Sequence, residues 1–254
     1  MIYSFLTDRG KIRTGNEDFI ALPGKKSISD DIKYGTDTLG WLFVLCDGMG
    51  GANAGEVASS MAGSMLMKEY YSLDRKPDDP GFFLTEKILD INYRILRWGL
   101  KVPDYYGMGT TLVSLLIDGR TAYINSVGDS RVYRLRGGSL EQITEDQSLV
   151  WEYYRSGKMT KEEIRKHPRN NILTCALGTD TDMLLSSIES YRMNIENDDQ
   201  FLLCSDGLSD MLSDREMEEI LVMEESADHA AERLLSAAIQ SGGRDNISLI
   251  LVRS

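Results

Sequence analysis

The chain has 254 residues, with 28 lysines and arginines against 40 aspartates and glutamates, so its formal net charge is −12 at pH 7. This balance argues against general nucleic-acid binding, because lysine and arginine supply most of the affinity for a phosphate backbone. A hydrophobic content of 42% and a charged content of 27% are typical of a folded globular protein. The longest apolar run, 41–46, is far shorter than the ~20 residues that span a bilayer, so we expect no membrane segment.

The N-terminus and the cysteines indicate a reducing compartment. Residues 1–13 lack the basic and apolar regions of a secretory signal, which predicts a cytoplasmic protein. The cysteines Cys46, Cys175 and Cys204 are odd in number and lack metal-ligand spacing, so we expect packed thiols without a disulfide framework. The sequence shows neither a flexible linker nor an internal repeat, so residues 1–254 are predicted to form one domain.

The spacing of apolar residues predicts both strands and helices. Runs rich in β-branched and aromatic residues predict strands at 2–6, 17–22, 41–46, 110–117, 121–127, 131–136, 200–204 and 247–252. Asp118-Gly119 and Gly137-Gly138 are typical of tight hairpin turns, so the sheet is expected to be at least partly antiparallel. Helical periodicity and capping residues predict helices at Glu56–Tyr71, at Phe83–Trp98, from Ser213 onward, and at Ala227–Gln240.

The stretch 145–172 differs from the rest because it is polar and rich in charged residues. Two short helical segments are predicted within it, and the second begins at the capping box Thr160–Glu163. We interpret the stretch as a surface insertion. Insertions of this length either border an active site or are passive excursions, and the sequence leaves both interpretations open.

Aspartates stand at the ends of several predicted strands, namely Asp47, Asp129, Asp206 and Asp245. A carboxylate at a strand end is held rigidly, and several that converge repel one another unless a cation neutralises them. Oxygen ligands favour hard cations, so convergence predicts Mg²⁺ or Mn²⁺. The alternative is that these aspartates are ordinary turn residues, since Asp-Gly is a common turn dipeptide.

A second polar cluster lies at 13–18, where Arg13 precedes Glu17 and Asp18. A guanidinium matches the geometry of a phosphate, and the carboxylates can reach a metal directly or through water. The plainer alternative is a polar loop with a surface ion pair. Two other phosphate chemistries are excluded, because no cysteine is followed six residues later by arginine and the pattern GxxxxGK[ST] is absent.

Six segments, taken in order, resemble the signature motifs of the metal-dependent protein phosphatase family, protein phosphatase 2C, in its compact bacterial form. They are RTGNED (13–18), VLCDGMGG (44–51), GMGTTLV (107–113), NSVGDSRVY (125–133), LLCSDGLSDML (202–212) and GGRDNISLILV (242–252). The resemblance spans nearly the whole chain. It implies an α+β fold, a four-layer α/β/β/α sandwich in which helix pairs flank two central, mainly antiparallel sheets. The stretch 145–172 resembles the flap beside the family's active site.

The resemblance also implies a binuclear centre for Mn²⁺ or Mg²⁺. The ligands that it implies for this centre are Asp47, Gly48 through its carbonyl, Asp206 and Asp245. The ligands that it implies for a third, weaker ion are Asp129, Asp206 and Asp210. Paired cations of this kind lower the pKa of a bridging water, and the resulting hydroxide would attack phosphorus in line.

Further roles carry over to individual residues. Arg13 falls on the family's phosphate-binding arginine, and Glu17 and Asp18 fall on the acidic pair that orients metal-bound water. Asn246 follows the last ligand and is expected to support it. Met49 stands where eukaryotic relatives carry a histidine, and a thioether has no proton to donate. We therefore expect the leaving group to receive its proton at the third ion's site, beside Asp129.

The activity implied is hydrolysis of phosphoserine and phosphothreonine in proteins, which reverses Ser/Thr kinase signalling. Expected partners are phosphorylated proteins and the kinase itself, with no nucleic acid, no membrane and a monomeric state. Two alternatives stay open. One is a non-catalytic relative that captures phosphoproteins, and the other is a phosphatase of phosphotyrosine or small phosphate esters. Gln147 and Cys175 depart from residues frequent in bacterial relatives, which bears on substrate preference.

Overall fold

The computed structural model describes residues 1–23, 39–50, 54–164, 167–179, 181–183 and 185–253. The strands are β1 (Ile2–Asp8), β2 (Asp18–Ala21), β3 (Trp41–Met49), β4 (Gly109–Thr110), β5 (Leu112–Asp118), β6 (Thr121–Val127), β7 (Arg131–Arg136), β8 (Ser139–Gln142), β9 (Glu189–Asn194), β10 (Gln200–Cys204) and β11 (Ile247–Arg253). The helices are α1 (Ala54–Tyr71), α2 (Pro80–Lys101), α3 (Leu149–Arg155), α4 (Lys161–Ile164), α5 (Asp206–Ser209), α6 (Asp214–Met223) and α7 (Ala227–Gln240).

The strands form two sheets in which neighbouring strands are antiparallel. Sheet I has the order β1-β11-β10-β7-β8. Sheet II has the order β2-β3-β5-β6-β9, and the short β4 pairs with the end of β3. Strands β3 and β5 are buried along nearly their whole length. Their continuous apolar sequence follows from this burial, because both faces of the sheet are covered.

Three apolar clusters separate four layers. Between the sheets lie fully buried side chains such as Phe43, Ile124 and Phe201. On the outer face of sheet II, helices α1 and α2 bury Leu66 and Ile88. Helices α6 and α7 cover the outer face of sheet I over a third cluster. The order of layers is α/β/β/α, so the fold expected from the resemblance is confirmed.

Capping residues define where the longer helices begin. The Asp79 side chain accepts a hydrogen bond from the Phe82 amide, and Pro80 occupies the first turn of α2. Helix α6 begins at the predicted capping box, in which Ser213 and Glu216 each accept a hydrogen bond from the other's backbone amide. These contacts satisfy amide groups that have no partner within the helix, which stabilises its first turn.

The predicted strands and helices are confirmed with small shifts at their ends. The run 110–117 is divided between β4 and β5, while β8 and β9 have no counterpart among the predicted strands. The stretch 145–172 contains α3 and α4, which confirms its two predicted helical segments. Residues 165 and 166 of this stretch, and Gly51 of the motif at 44–51, lie outside the described residues. Across the described ranges, no helix is long and apolar enough to cross a bilayer.

Candidate active site

Acidic side chains from both sheets meet at one end of the sandwich. Asp18 and Asp47 lie opposite each other in the ladder between β2 and β3. Asp206 follows β10, and Asp245 precedes β11, the strand paired with β10. Ser205 Oγ donates a hydrogen bond of 3.0 Å to Asp18 Oδ2 and so links the two sheets. The carboxylates at these strand ends are near enough for their charges to interact.

The backbone at Asp47 and Gly48 is fixed from two directions. A Cβ at position 48 would lie 2.2 Å from the Gly55 carbonyl oxygen and 2.6 Å from the Glu17 carbonyl oxygen, so only glycine fits there. The Gly48 amide donates to the Glu17 carbonyl at 3.1 Å. The Asp47 carbonyl accepts a hydrogen bond of 2.8 Å from Thr110 Oγ1. These contacts hold the backbone of Asp47 and Gly48 in one orientation.

The acidic cluster is electrostatically unfavourable without a cation. Burial raises the pKa of Asp47 and Asp206 well above the ordinary range, and the charges of neighbouring carboxylates raise it further. Burial also raises the pKa of Asp18 to about 7, against the opposing effect of the nearby Ser248 and Ser205 hydroxyls. Among the described residues, Asp18 Oδ1 and Asp206 Oδ1 are buried and have no hydrogen-bond partner. Such orphaned oxygens fit a divalent cation, which supplies both a partner and the missing positive charge.

Arg13 and Asn246 organise the loop next to this cluster. Arg13 Nη2 donates to Asp245 Oδ2 at 2.5 Å, and 55% of the arginine side chain is exposed. This hydrogen bond is the main reason that the pKa of Arg13 is raised. Asn246 Oδ1 accepts from the Glu17 amide at 2.9 Å, and its Nδ2 donates to the Gly15 carbonyl at 2.9 Å. Residues 13–17 are thereby attached to the beginning of β11.

Asp129 and Asp210 lie on another side of the cluster. Burial raises the pKa of Asp129 to about 7, and the charges of Asp146 and Asp210 add to the effect. Asn170, from the stretch 145–172, donates a hydrogen bond of 2.6 Å to Asp210 Oδ2. In the described part of the chain, no three acidic, histidine or cysteine side chains are arranged to ligate one ion as they stand. Asp210 and Asp245 each accept a hydrogen bond in this arrangement, from Asn170 and Arg13 respectively.

The stretch 145–172 begins with a buried anchor beside the site. Arg131 donates two hydrogen bonds to Asp146, of 2.8 and 2.6 Å, and both side chains are buried. Gln147 Oε1 accepts from the Gly128 amide at 2.9 Å, and its Nε2 donates to the Ser187 carbonyl at 2.8 Å. Gln147 thus connects this stretch to the loop that carries Asp129, without contacting the acidic cluster through these bonds.

A small cavity of about 220 Å³ opens at the cluster. Its walls include Asp206, Asp210, Arg244 and Asp245 on one side and Asn170 on the other. The stretch 145–172 therefore borders the site, which favours the first of its two interpretations over a passive excursion.

Sequence reasoning missed three residues that position the site. Thr110 orients the Asp47 peptide, Ser205 orients Asp18, and Asn170 contacts Asp210. Thr110 and Ser205 fall within the motifs at 107–113 and 202–212, which was the available signal. Nothing in the sequence pairs Asn170 with Asp210, because that contact arises only when the chain folds.

Comparison with known proteins agrees with the resemblance that the sequence motifs indicate. A family profile described as Protein phosphatase 2C matches residues 25–241. The serine/threonine phosphatase stp of Listeria welshimeri is 37% identical over 251 residues, which are 98% of this chain and 94% of that protein. The serine/threonine protein phosphatase PstP of Mycobacterium tuberculosis is 36% identical in an alignment of 255 positions, which covers 98% of this chain and 44% of that longer protein.

Solved structures agree with the fold. Serine/threonine phosphatase Stp1 from Staphylococcus aureus superimposes with a TM-score of 0.88 at 32% identity, covering 99% of this chain and 94% of that one. The catalytic domain of PstP in complex with two manganese ions gives a TM-score of 0.81 at 32% identity, covering 98% of this chain and 96% of that one.

Proposed function

The chain belongs to the protein phosphatase 2C family, and from this premise we propose that its buried acidic cluster removes phosphate from phosphoserine and phosphothreonine in proteins. The protein is a metal-dependent enzyme of the class to which its relatives, named serine/threonine phosphatases, belong. The observation that carries the site assignment is the pair of buried, unpartnered oxygens on Asp18 and Asp206. Unpartnered acidic oxygens of this kind suit a divalent cation or the water bound to one, and the catalytic domain of the related PstP forms a complex with two manganese ions.

The proposed metal ligands come from both sheets. Those assigned to two Mn²⁺ or Mg²⁺ ions are Asp47, the Gly48 carbonyl, Asp206 and Asp245. Those assigned to a third ion are Asp129, Asp206 and Asp210. When bound, paired divalent ions lower the pKa of water and neutralise charge on a phosphoryl group that is being transferred.

The remaining roles belong to side chains around the ligands. Arg13 binds the substrate phosphate, because its guanidinium offers a planar set of donors and half of the side chain is open to solvent. Asp18 Oδ1 and the Glu17 carboxylate accept hydrogen bonds from water and orient it, while Ser205 holds the other oxygen of Asp18 in place. Both acids suit this role because burial raises the pKa of each.

Proton delivery to the leaving group is assigned to the side of the cluster formed by Asp129 and Asp210. Met49 is partly exposed and carries no transferable proton. We expect Asp129→Ala to slow hydrolysis of phosphoserine more than that of an aryl phosphate, because a good leaving group departs without a proton. Equal slowing of the two substrates in parallel kinetics would contradict this role.

The direct test is phosphate release from a phosphothreonine peptide with Mn²⁺, with EDTA, and with the Asp206→Ala variant. We expect release only with metal, and we expect Asp206→Ala to lose both release and Mn²⁺ binding measured by calorimetry. Asp74→Ala, at an exposed aspartate, serves as the matched control and should behave as wild type.

Three results would contradict parts of the proposal. Mn²⁺ binding by folded wild-type protein without release from any phosphopeptide would favour a protein that captures phosphoproteins. Faster phosphate release from phosphotyrosine or small esters than from phosphothreonine would indicate that those compounds are the preferred substrates. Retained Mn²⁺ binding in Asp206→Ala would refute the ligand assignment.

Partners and location follow from the same reasoning. Phosphorylated proteins are the substrates, and we propose that they include targets of a Ser/Thr kinase and the kinase itself. Cys46, Cys175 and Cys204 form no disulfide among the described residues, which supports a cytoplasmic location, and the net charge of −12 supports the absence of nucleic-acid binding. We also propose a single domain over residues 1–254, acting as a monomer away from membranes.

A further inference from the structure

A larger cavity, of about 780 Å³, lies beside the acidic cluster. We infer that it binds a second anionic side chain, carboxylate or phosphate, of the same substrate chain whose phosphoresidue occupies the active site. This inference rests on the proposed function. Arg244, Asp210 and Met211 line both this cavity and the smaller one at the cluster, so the two share a wall. A peptide that places its phosphoresidue at the cluster therefore extends toward the larger cavity.

Cationic side chains in this cavity are available to a ligand. Within the described residues, no salt bridge engages Arg244, whose side chain lies against Gly242 together with that of Met211. Arg215 is 86% exposed, and its partner is Glu219, one turn further along the same helix. Exposed pairs of this kind are weak and exchange readily for another anion.

The acidic residues of the cavity, by contrast, already have partners. Asp214 accepts hydrogen bonds from Tyr133 at 3.2 Å and from Lys161 at 3.5 Å. Asp210 accepts from Asn170 at 2.6 Å. Asn170 and Tyr133 are neutral, so both carboxylates keep their charge. Cationic side chains nevertheless outnumber them in the cavity, with Arg131, Lys161, Arg215 and Arg244 against Asp210 and Asp214, so the lining favours an anion.

The side chain of Trp151 forms part of the wall of the larger cavity. This side chain is 5% exposed, and its indole Nε1 is buried with no hydrogen-bond partner. Lys161 Nζ lies 5.5 Å from the centre of the indole ring, on the same side of the cavity. The indole ring thus gives the cavity a rigid wall, with the Lys161 ammonium held beside it.

The overall charge explains why the anion must be carried on the substrate chain. A net charge of −12 repels free anions at long range. That repulsion is screened beyond ~8 Å at physiological ionic strength, so inside the cavity the nearby arginines dominate. An acidic or phosphorylated side chain tethered to a bound phosphoresidue arrives at high effective concentration, whereas free phosphate does not.

The test compares kcat/KM for phosphothreonine peptides of equal length with Mn²⁺ present. One peptide has neutral flanks, and the others carry one aspartate, one phosphoserine or one lysine at each neighbouring position in turn. We expect wild type to prefer an anionic peptide roughly tenfold at one or more positions, the size of one charge-assisted hydrogen bond. Arg244→Glu and Arg215→Glu should abolish this preference and favour the lysine peptide, while Arg233→Glu, on the exposed face of α7, should not.

The ratio between peptides is the informative quantity, because Arg244 adjoins Asp245 and its substitution can alter the rate on every substrate. Preference for both anions supports a general anion subsite, and preference for the phosphoserine peptide alone supports a phosphate subsite. Equal kcat/KM for neutral and anionic peptides in active wild type would overturn the inference and leave the phosphatase assignment intact. Failure to release phosphate from any peptide would overturn the proposed function, and the subsite with it.

Discussion

Replacing Asp18 by asparagine should stabilise the metal-free protein, although the residue belongs to the proposed active site. Asp18 lies opposite Asp47, and its Oδ1 is buried without a donor. Burial raises the pKa of Asp18 to about 7. Above that pH the Asp18 carboxylate is ionised and buried in the folded chain, whereas in the unfolded chain water solvates it. The asparagine amide has the same shape but no charge, so the variant avoids this cost of burial.

The size of the effect follows from the pKa. The carboxyl changes from an ordinary pKa of 3.8 in the unfolded chain to about 7 in the folded one. Since one pKa unit is worth ~1.4 kcal/mol, the upper bound is roughly 4 kcal/mol, and we expect about 2–4 kcal/mol because neighbouring carboxylates share the effect. A raised folded-state pKa means that the folded chain binds the proton more tightly. The wild-type free energy of unfolding therefore falls as pH rises between these two pKa values, and the advantage of asparagine grows.

Urea unfolding followed by circular dichroism, in EDTA, measures this difference at about pH 5 and about pH 8. The free energy of unfolding of Asp18→Asn should exceed that of wild type by most at the higher pH. The control variant Asp74→Asn should have the same free energy of unfolding as wild type at both pH values. With Mn²⁺ added, wild type should gain more stability than Asp18→Asn. A variant that is less stable than wild type at the higher pH, or a difference independent of pH, would refute the electrostatic reasoning.

Three further predictions concern residues around the site. Asp146→Ala leaves Arg131 buried and unpaired, so it should lower the free energy of unfolding by about 3–5 kcal/mol in urea, and an Arg131→Met, Asp146→Leu double variant should recover most of this loss. Gly48→Ala forces a methyl group into the Gly55 carbonyl and should weaken Mn²⁺ binding in calorimetry by about 10–100-fold; unchanged affinity would show that the backbone there adapts freely. Ser213→Ala removes half of the capping box of α6 and should lower thermal stability by about 1 kcal/mol without changing kcat, which a thermal melt and an activity assay together would check.

The strands that the sequence predicts best are those buried on both faces. Strand β3 forms a nearly continuous apolar run because helices cover one side of sheet II and sheet I covers the other. Strand β9 escaped prediction because it lies at the edge of sheet II, where its side chains alternate between partly buried and exposed. Glu189 and Arg192 give this segment a polar sequence, so its strand conformation depends on pairing with β6.

Much of the candidate site was accessible from the sequence for a similar reason. Strand ends were recognisable, so the meeting of Asp47 with Asp206 could be anticipated from one aspartate near the end of β3 and another just after β10. The hydrogen bonds of Arg13 with Asp245 and of Asn170 with Asp210 could not be anticipated. Each joins residues far apart in sequence, and their proximity depends on how the loops fold onto the sheets.

The origin of the acidic cluster in both sheets has a consequence for protein synthesis. Asp47 belongs to an early strand, whereas Asp245 is made just before the last one, which inserts between β1 and β10. A nascent chain without β11 lacks a proposed ligand and leaves β1 without its neighbour in sheet I. We therefore expect a chain truncated before β11 to lack phosphatase activity, because it lacks both this proposed ligand and the strand that joins β1 to β10.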